Sequence, residues 1–92
     1  MRRAVCGDKK SARTPERAFG RVLRKFRKDR SISQEELAFE SGYHRTYIGQ
    51  LERGEKSPSL RTIFDLAETL KVAPSVLIQQ TEFARSRLRD MD

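Results

Sequence analysis

The chain is poor in the residues that build disulfide scaffolds and metal centres. Its 92 residues include one cysteine, Cys6, one histidine, His44, and no tryptophan. A single thiol cannot close an internal disulfide. One His and one Cys make no metal-ligand set, and neither a nucleophile constellation nor a glycine-rich phosphate loop is present. The expectation is therefore a protein that is not an enzyme, with no catalytic residue, metal or cofactor. Three prolines and five glycines are too few for a collagen-like or linker-like chain. No apolar run approaches the roughly 18 residues of a membrane span. The opening MRRAVCGDKKSART is basic but lacks the apolar core of a secretory signal. Cys6 within it reads as an inert thiol, since nothing around it forms an ordered electropositive site. Together these absences point to one small soluble intracellular domain without membrane association.

Positive charge is plentiful and unevenly placed. The net charge is +7. Residues 1–30 carry twelve basic groups against Asp8, Glu16 and Asp29, whereas residues 31–82 carry five basic and eight acidic groups. An N-terminal excess of this kind attracts polyanions, nucleic acid above all, although a solubilising tail has the same composition. Residues 1–14 show no apolar period and read as a flexible basic arm.

From Thr14 onward the pattern is helical. Thr14-Pro15-Glu16 supplies a capping hydroxyl, a first-turn proline and an acid at the positive dipole end. Phe19, Val22, Leu23 and Phe26 then form one apolar stripe, with Arg21, Arg24, Lys25 and Lys28 on the other faces. This helix is expected to end near Asp29 or Arg30. Ser33 with Glu36 is a capping box, and Gly42 closes a helix of about eight residues. A third helix runs from about Arg45 to Arg53, with Tyr47, Ile48 and Leu51 inward and Gly54 as its stop. Ser59 caps a fourth, whose expected stripe is Leu60, Ile63, Phe64, Ala67 and Leu70, with Lys71 at its negative end. Ala73-Pro74 opens a fifth, with Val76, Leu77 and Phe83 facing inward. Residues 83–92 either extend that helix or fray. No strand-like alternation or internal repeat appears. The fold expected is all-α, a compact five-helix bundle with short connections, its domain spanning residues 15–82.

Two short helices joined through Gly42 suggest a helix-turn-helix, with the small Ala38 allowing close approach at the crossing. The combination S-Q-E-E-L-A, then G, then I-x-x-L-E-R-G, then P-S-L-x-T-I resembles the Cro/cI-type (XRE) helix-turn-helix domain over about residues 17–80. The run HRTYIGQLERG is also similar to the small controller proteins of restriction–modification systems. The resemblance implies a repressor-like bundle, a homodimer, a paired or palindromic operator in double-stranded DNA, and a cytoplasmic, nucleoid-associated location in a bacterium.

The residue chemistry agrees. Arg45, Thr46, Gly49, Gln50 and Arg53 share one face of the third helix. Arg can take guanine O6 and N7 together, and Gln can take adenine N6 and N7. Arg45, Thr46, Gly49 and Gln50 are the candidate base readers, Gly49 by allowing close approach. Ser33, Gln34, His44, Tyr47, Arg53, Lys56, Ser57, Ser59 and Arg61 are the candidate phosphate contacts. For each there is a plainer reading: an ordinary solvated face for the readers, capping or turn chemistry for Ser33, Gln34, Ser57 and Ser59, core packing for Tyr47. His44 stands at the cap of the third helix, where Ser or Thr is more usual in the family. Glu52 turns toward the core side, where a carboxylate needs a partner. Arg27 is the candidate, and the family pattern pairs an arginine there with this glutamate.

Val72, Pro74, Val76, Ile78 and parts of the last helix are candidate dimer contacts, with core packing as the alternative. Promoter binding would repress by occlusion or activate by touching RNA polymerase. A reading from another class is an antitoxin-type or protein-interaction module, whose toxin partner would hold the last helix. A non-specific nucleic-acid binder driven by the basic arm is a third.

Overall fold

The computed structural model describes residues 14–91. They form five helices: α1 Pro15–Asp29, α2 Gln34–Ser41, α3 Arg45–Glu52, α4 Leu60–Leu70 and α5 Pro74–Met91. The arm expected over residues 1–14 lies outside the described residues except for Thr14. The all-α bundle is as expected.

The helix ends follow local chemistry. Thr14 Oγ1 accepts the Arg17 N–H at 3.2 Å, with Pro15 in the first turn of α1. At α2 both halves of the capping box are made: Glu36 N–H donates to Ser33 Oγ at 3.0 Å and Ser33 N–H donates to Glu36 Oε1 at 2.7 Å. Gly42 then takes the left-handed conformation, φ 83°, that ends α2 and turns the chain toward α3. Beyond α3, Gly54 does the same at φ 77°, and the Glu55 N–H reaches back to the Gln50 carbonyl at 2.9 Å. Ser59 Oγ accepts the Thr62 N–H at 3.0 Å and starts α4.

The core gathers Phe19, Val22 and Leu23 of α1, Leu37 and Ala38 of α2, Ile48 and Leu51 of α3, Leu66, Ala67 and Leu70 of α4, and Leu77 of α5. α5 packs chiefly along α1, and α3 lies against both α1 and α2. Neither α2 nor α3 is long enough to stand alone in water, so this shared core holds the pair at its angle.

Two expectations are corrected. The stripe of α4 is rotated: Leu60 is 72% and Phe64 54% exposed, while Thr62 and Leu66 face inward instead. Leu66 is apolar and fully covered. Thr62 is tolerated there because its hydroxyl meets Ser59 Oγ at 2.9 Å. Second, Phe83 is 56% exposed, and it is the adjacent Ala84, about 100° round the helix, that packs against the core. Of the two alternatives left open for residues 83–92, α5 as described runs on to Met91. Phe26 of the α1 stripe is only partly buried. Among the described residues, no helix is long and apolar enough to cross a membrane.

Candidate nucleic-acid interface

α3 is held from beneath and on both flanks, which leaves its outer face clear. Ile48 and Leu51 are fully buried. Glu52 is clamped from two other helices. Arg27 Nε donates to Glu52 Oε2 at 2.6 Å and Arg27 Nη2 donates to Glu52 Oε1 at 3.0 Å, a bidentate pair. The expected ion pair therefore exists, and its two side chains are 10% and 4% exposed. The hydrogen bond to Glu52 leads in raising the Arg27 pKa above its ordinary value, against the opposing effect of burial. Arg27 Nη1 also donates to the Ile32 carbonyl at 2.9 Å, so one guanidinium ties α1, the α1–α2 connection and α3 together.

Gln34 joins this cluster from the first turn of α2. Its Nε2 donates to Glu52 Oε1 at 2.9 Å. Gln34 thus braces α3 directly, at the end of a helix whose first amides point outward. On the other flank, Tyr47 Oη lies 3.4 Å from Thr62 Oγ1 and its ring lies 5.4 Å from that of Tyr43. Tyr43 Oη in turn donates to Asp65 at 2.7 Å. These contacts dock the first turn of α4 beside α3, and with it the exposed Ser59 and Arg61. Tyr47 packs as its plainer reading has it, and its hydroxyl faces α4. Tyr43 was missed as a bracing residue, although an aromatic directly after the turn glycine was a legible signal.

The outer face carries Arg45 and Thr46, both exposed, and Gln50, half-buried. Among the described residues none of these three side chains has a hydrogen-bond or ion-pair partner. Gly49 is buried, and a Cβ there would lie 3.1 Å from Arg53 Nη1 and 3.7 Å from Gln34 Oε1. The ends of the Arg53 and Gln34 side chains thus lie over the position. Arg53 is itself oriented by Glu55, with Nε–Oε2 at 2.8 Å and Nη2–Oε1 at 3.3 Å. That pair is exposed and directs the guanidinium more than it stabilises the fold. The Arg53 hydrogen bond is the main cause holding the Glu55 carboxyl below its ordinary range.

The remaining predicted phosphate contacts are placed as follows. Lys56 and Ser57 are exposed in the turn after α3, and Ser33 is exposed at the α2 cap. His44 occupies the α3 cap with extended backbone but makes no capping hydrogen bond. A hydroxyl would fill that role. His44→Ser is expected to stabilise the fold by about 1 kcal/mol, raising Tm by roughly 4–8 °C in a domain of this size. Thermal unfolding followed by circular dichroism checks this, and an unchanged Tm would show that the free amides of α3 are already satisfied by water.

Two short helices at this angle, the second fixed from below and bare outside, define a helix-turn-helix. Residues 23–77 match the helix-turn-helix family, and the chain belongs to it. Within the family it is similar to control protein C.BamHI of Bacillus amyloliquefaciens, at 44% identity over 68% of this chain and 79% of that one. Control protein C.SmaI of Serratia marcescens is also 44% identical, over 63% and 70% respectively. Among solved structures, the restriction–modification controller protein C.AhdI from Aeromonas hydrophila superposes with a TM-score of 0.65 at 44% identity, covering 66% of this chain and 92% of its own.

Proposed function

We propose that the protein is a sequence-specific DNA-binding transcription regulator, acting in the cytoplasm as a homodimer on paired half-sites and reading the major groove with α3. The observation that carries this is the outer face of α3. Among the described residues Arg45, Thr46 and Gln50 have no side-chain partner, on a helix whose other side is locked by Ile48, Leu51 and Glu52. An isolated α-helix face of this width fits the major groove. Gln34 on one flank, with the α4 turn bearing Ser59 and Arg61 on the other, is placed to meet the phosphates on the two sides of that groove. Lys56, Ser57 and Arg53 extend the same backbone contacts. The kinship with control proteins supports a regulatory role over a catalytic one.

Dimerisation has an apolar surface to use. Leu60 and Phe64 of α4 and Ile78 of α5 are at least half exposed, and burial of such side chains against a second copy would favour association. Of the expected dimer contacts, Ile78 remains open, whereas Val72, Pro74 and Val76 are partly buried within the protomer. A two-fold dimer would set two α3 helices about 34 Å apart, one turn of B-DNA.

The direct test is selection of bound duplexes from random DNA. An enriched motif with two related half-sites is expected. Arg45→Ala and Gln50→Ala should each lower affinity for that motif by about 5- to 150-fold, from roughly 1–3 kcal/mol per lost bidentate contact, and relax preference at one position. Selection that enriches nothing at any salt concentration would overturn the reading. Equal binding of every duplex by parent and variants would reduce it to non-specific attraction.

A further inference from the structure

α1 carries a feature that sequence-specific reading by α3 does not use. Arg17, Arg21, Arg24 and Lys28 recur at i, i+4, i+7 and i+11, all exposed, along one side of the helix. Among the described residues none of the four has a carboxylate within ion-pair distance. The acids that might have neutralised them are engaged elsewhere. Glu52 is held by Arg27 and Gln34, Glu55 by Arg53, and Asp29 by Lys25 at 3.2 Å. The four cations line one open groove that runs from α1 to Arg53 at the end of α3.

The groove is rigidly tied to α3. Gly20 of α1 lies so close to the α3 backbone that a Cβ would approach the Leu51 and Glu52 carbonyl oxygens to 2.5 Å. Wherever α3 docks, this row of cations is carried with it at a fixed offset. Eleven residues at 1.5 Å each make the row about 16 Å long. One DNA strand rises about 3.4 Å per phosphate while it winds around the axis, so a straight row of this length can follow only a few successive phosphates. Among the described residues, no large apolar side chain lines the groove, and its carboxylates, Glu52 and Glu55, are already paired, so the surface it offers is one for an anion.

We infer that the outer face of α1 is a second DNA-backbone site, which holds phosphates of the same duplex beyond the segment that α3 reads. This rests on the DNA-binding reading of α3. It extends the footprint of each protomer without adding sequence information, because phosphate contacts position and do not specify.

The experiment compares the full chain with Arg21→Gln/Arg24→Gln/Lys28→Gln on two probes. One is the selected duplex trimmed to its two half-sites. The other is the same duplex extended by about 10 bp, one helical turn, at each end. The parent should bind the longer duplex more tightly and with a steeper dependence of log K on log salt. The triple variant should lose that length dependence, its slope falling by about 0.9 for each phosphate contact removed. It should still select the same motif. If the triple variant does not fold by circular dichroism, Arg24→Gln alone is used, with a proportionally smaller fall in slope. A variant that keeps the parent's slope on the long duplex overturns the inference, and the groove then serves something other than this DNA. A variant that loses the motif also overturns it, because the residues would then take part in reading. If the parent selects no motif, the α3 reading fails and this one falls with it. If the parent selects a motif but binds both lengths alike, only this one fails.

Discussion

Glu52→Ala is expected to remove about 3–5 kcal/mol of folding stability in the absence of DNA. Three donors converge on this carboxylate: Arg27 Nε at 2.6 Å, Arg27 Nη2 at 3.0 Å and Gln34 Nε2 at 2.9 Å. The Glu52 side chain is 4% exposed, so the pair is largely withdrawn from water. Its removal leaves the Arg27 guanidinium covered, with the Ile32 carbonyl as its remaining acceptor. The cost is mostly that of an unpaired buried charge, which is why it exceeds what the pair itself contributes. A domain of this kind has a total stability of about 5–15 kcal/mol, so the variant should sit near its unfolding threshold. Urea denaturation of parent and variant checks this, and an unchanged midpoint would remove the structural role. The charge-free pair Arg27→Met/Glu52→Leu should recover most of the loss, because no ion is then left uncompensated. Recovery of stability without recovery of DNA affinity would assign the pair, through Gln34, to the placement of α3.

The ion pair was legible because it leaves a mark in one dimension. A carboxylate beside Leu51, on the core side of a short helix, demands a cation, and α1 offers Arg27 near its end. The capping residues Thr14, Ser33 and Ser59 and the turn glycines Gly42 and Gly54 were legible for the same reason, since each satisfies or conforms its own backbone. The rotation of α4 was not. Leu60, Ile63, Phe64, Ala67 and Leu70 make a regular stripe, and so does the set that is buried, Thr62, Leu66, Ala67 and Leu70. Periodicity gives the presence of an apolar arc but does not say which part of a wide arc the neighbours cover. The packing of α4 on α2 and α5 decides that, together with the partners that make Thr62 acceptable inside. Phe83 failed similarly, since the neighbouring Ala84 is the residue that faces the core. At the candidate interface, Arg45, Thr46 and Gln50 followed from the helical face. The cover over Gly49 did not, because it comes from Gln34, fifteen positions away, and from Arg53 as Glu55 steers it.

Gly20→Ala is expected to destabilise the protein by about 2 kcal/mol or more, although it replaces a poor helix former with the best one. On propensity alone the change should gain about 0.8–1.0 kcal/mol in the middle of α1. Packing opposes it. The new Cβ would lie 2.5 Å from two carbonyl oxygens of α3, those of Leu51 and Glu52, and 2.8 Å from the Glu52 carbonyl carbon. All three are backbone atoms, so no rotamer change relieves the contact, and α1 must move away from α3. Overpacking of a core typically costs about 1–3 kcal/mol, occasionally more, and this case belongs at the upper end because a whole helix has to shift. Separation of the two helices also strains the Arg27–Glu52 pair, which spans the same junction. Gly49→Ala is the matched control. The tightest contact of its Cβ would be with Arg53 Nη1, at 3.1 Å, the far end of a flexible side chain that can move aside. Thermal unfolding of the two variants should therefore separate them: Gly20→Ala melting roughly 8–16 °C below the parent, Gly49→Ala at or above it. Equal Tm values would mean that helix propensity governs both sites and that the close α1–α3 contact carries no weight. A lower Tm for Gly20→Ala alone would establish that contact as what fixes α3, and the row of cations on α1, in one rigid frame.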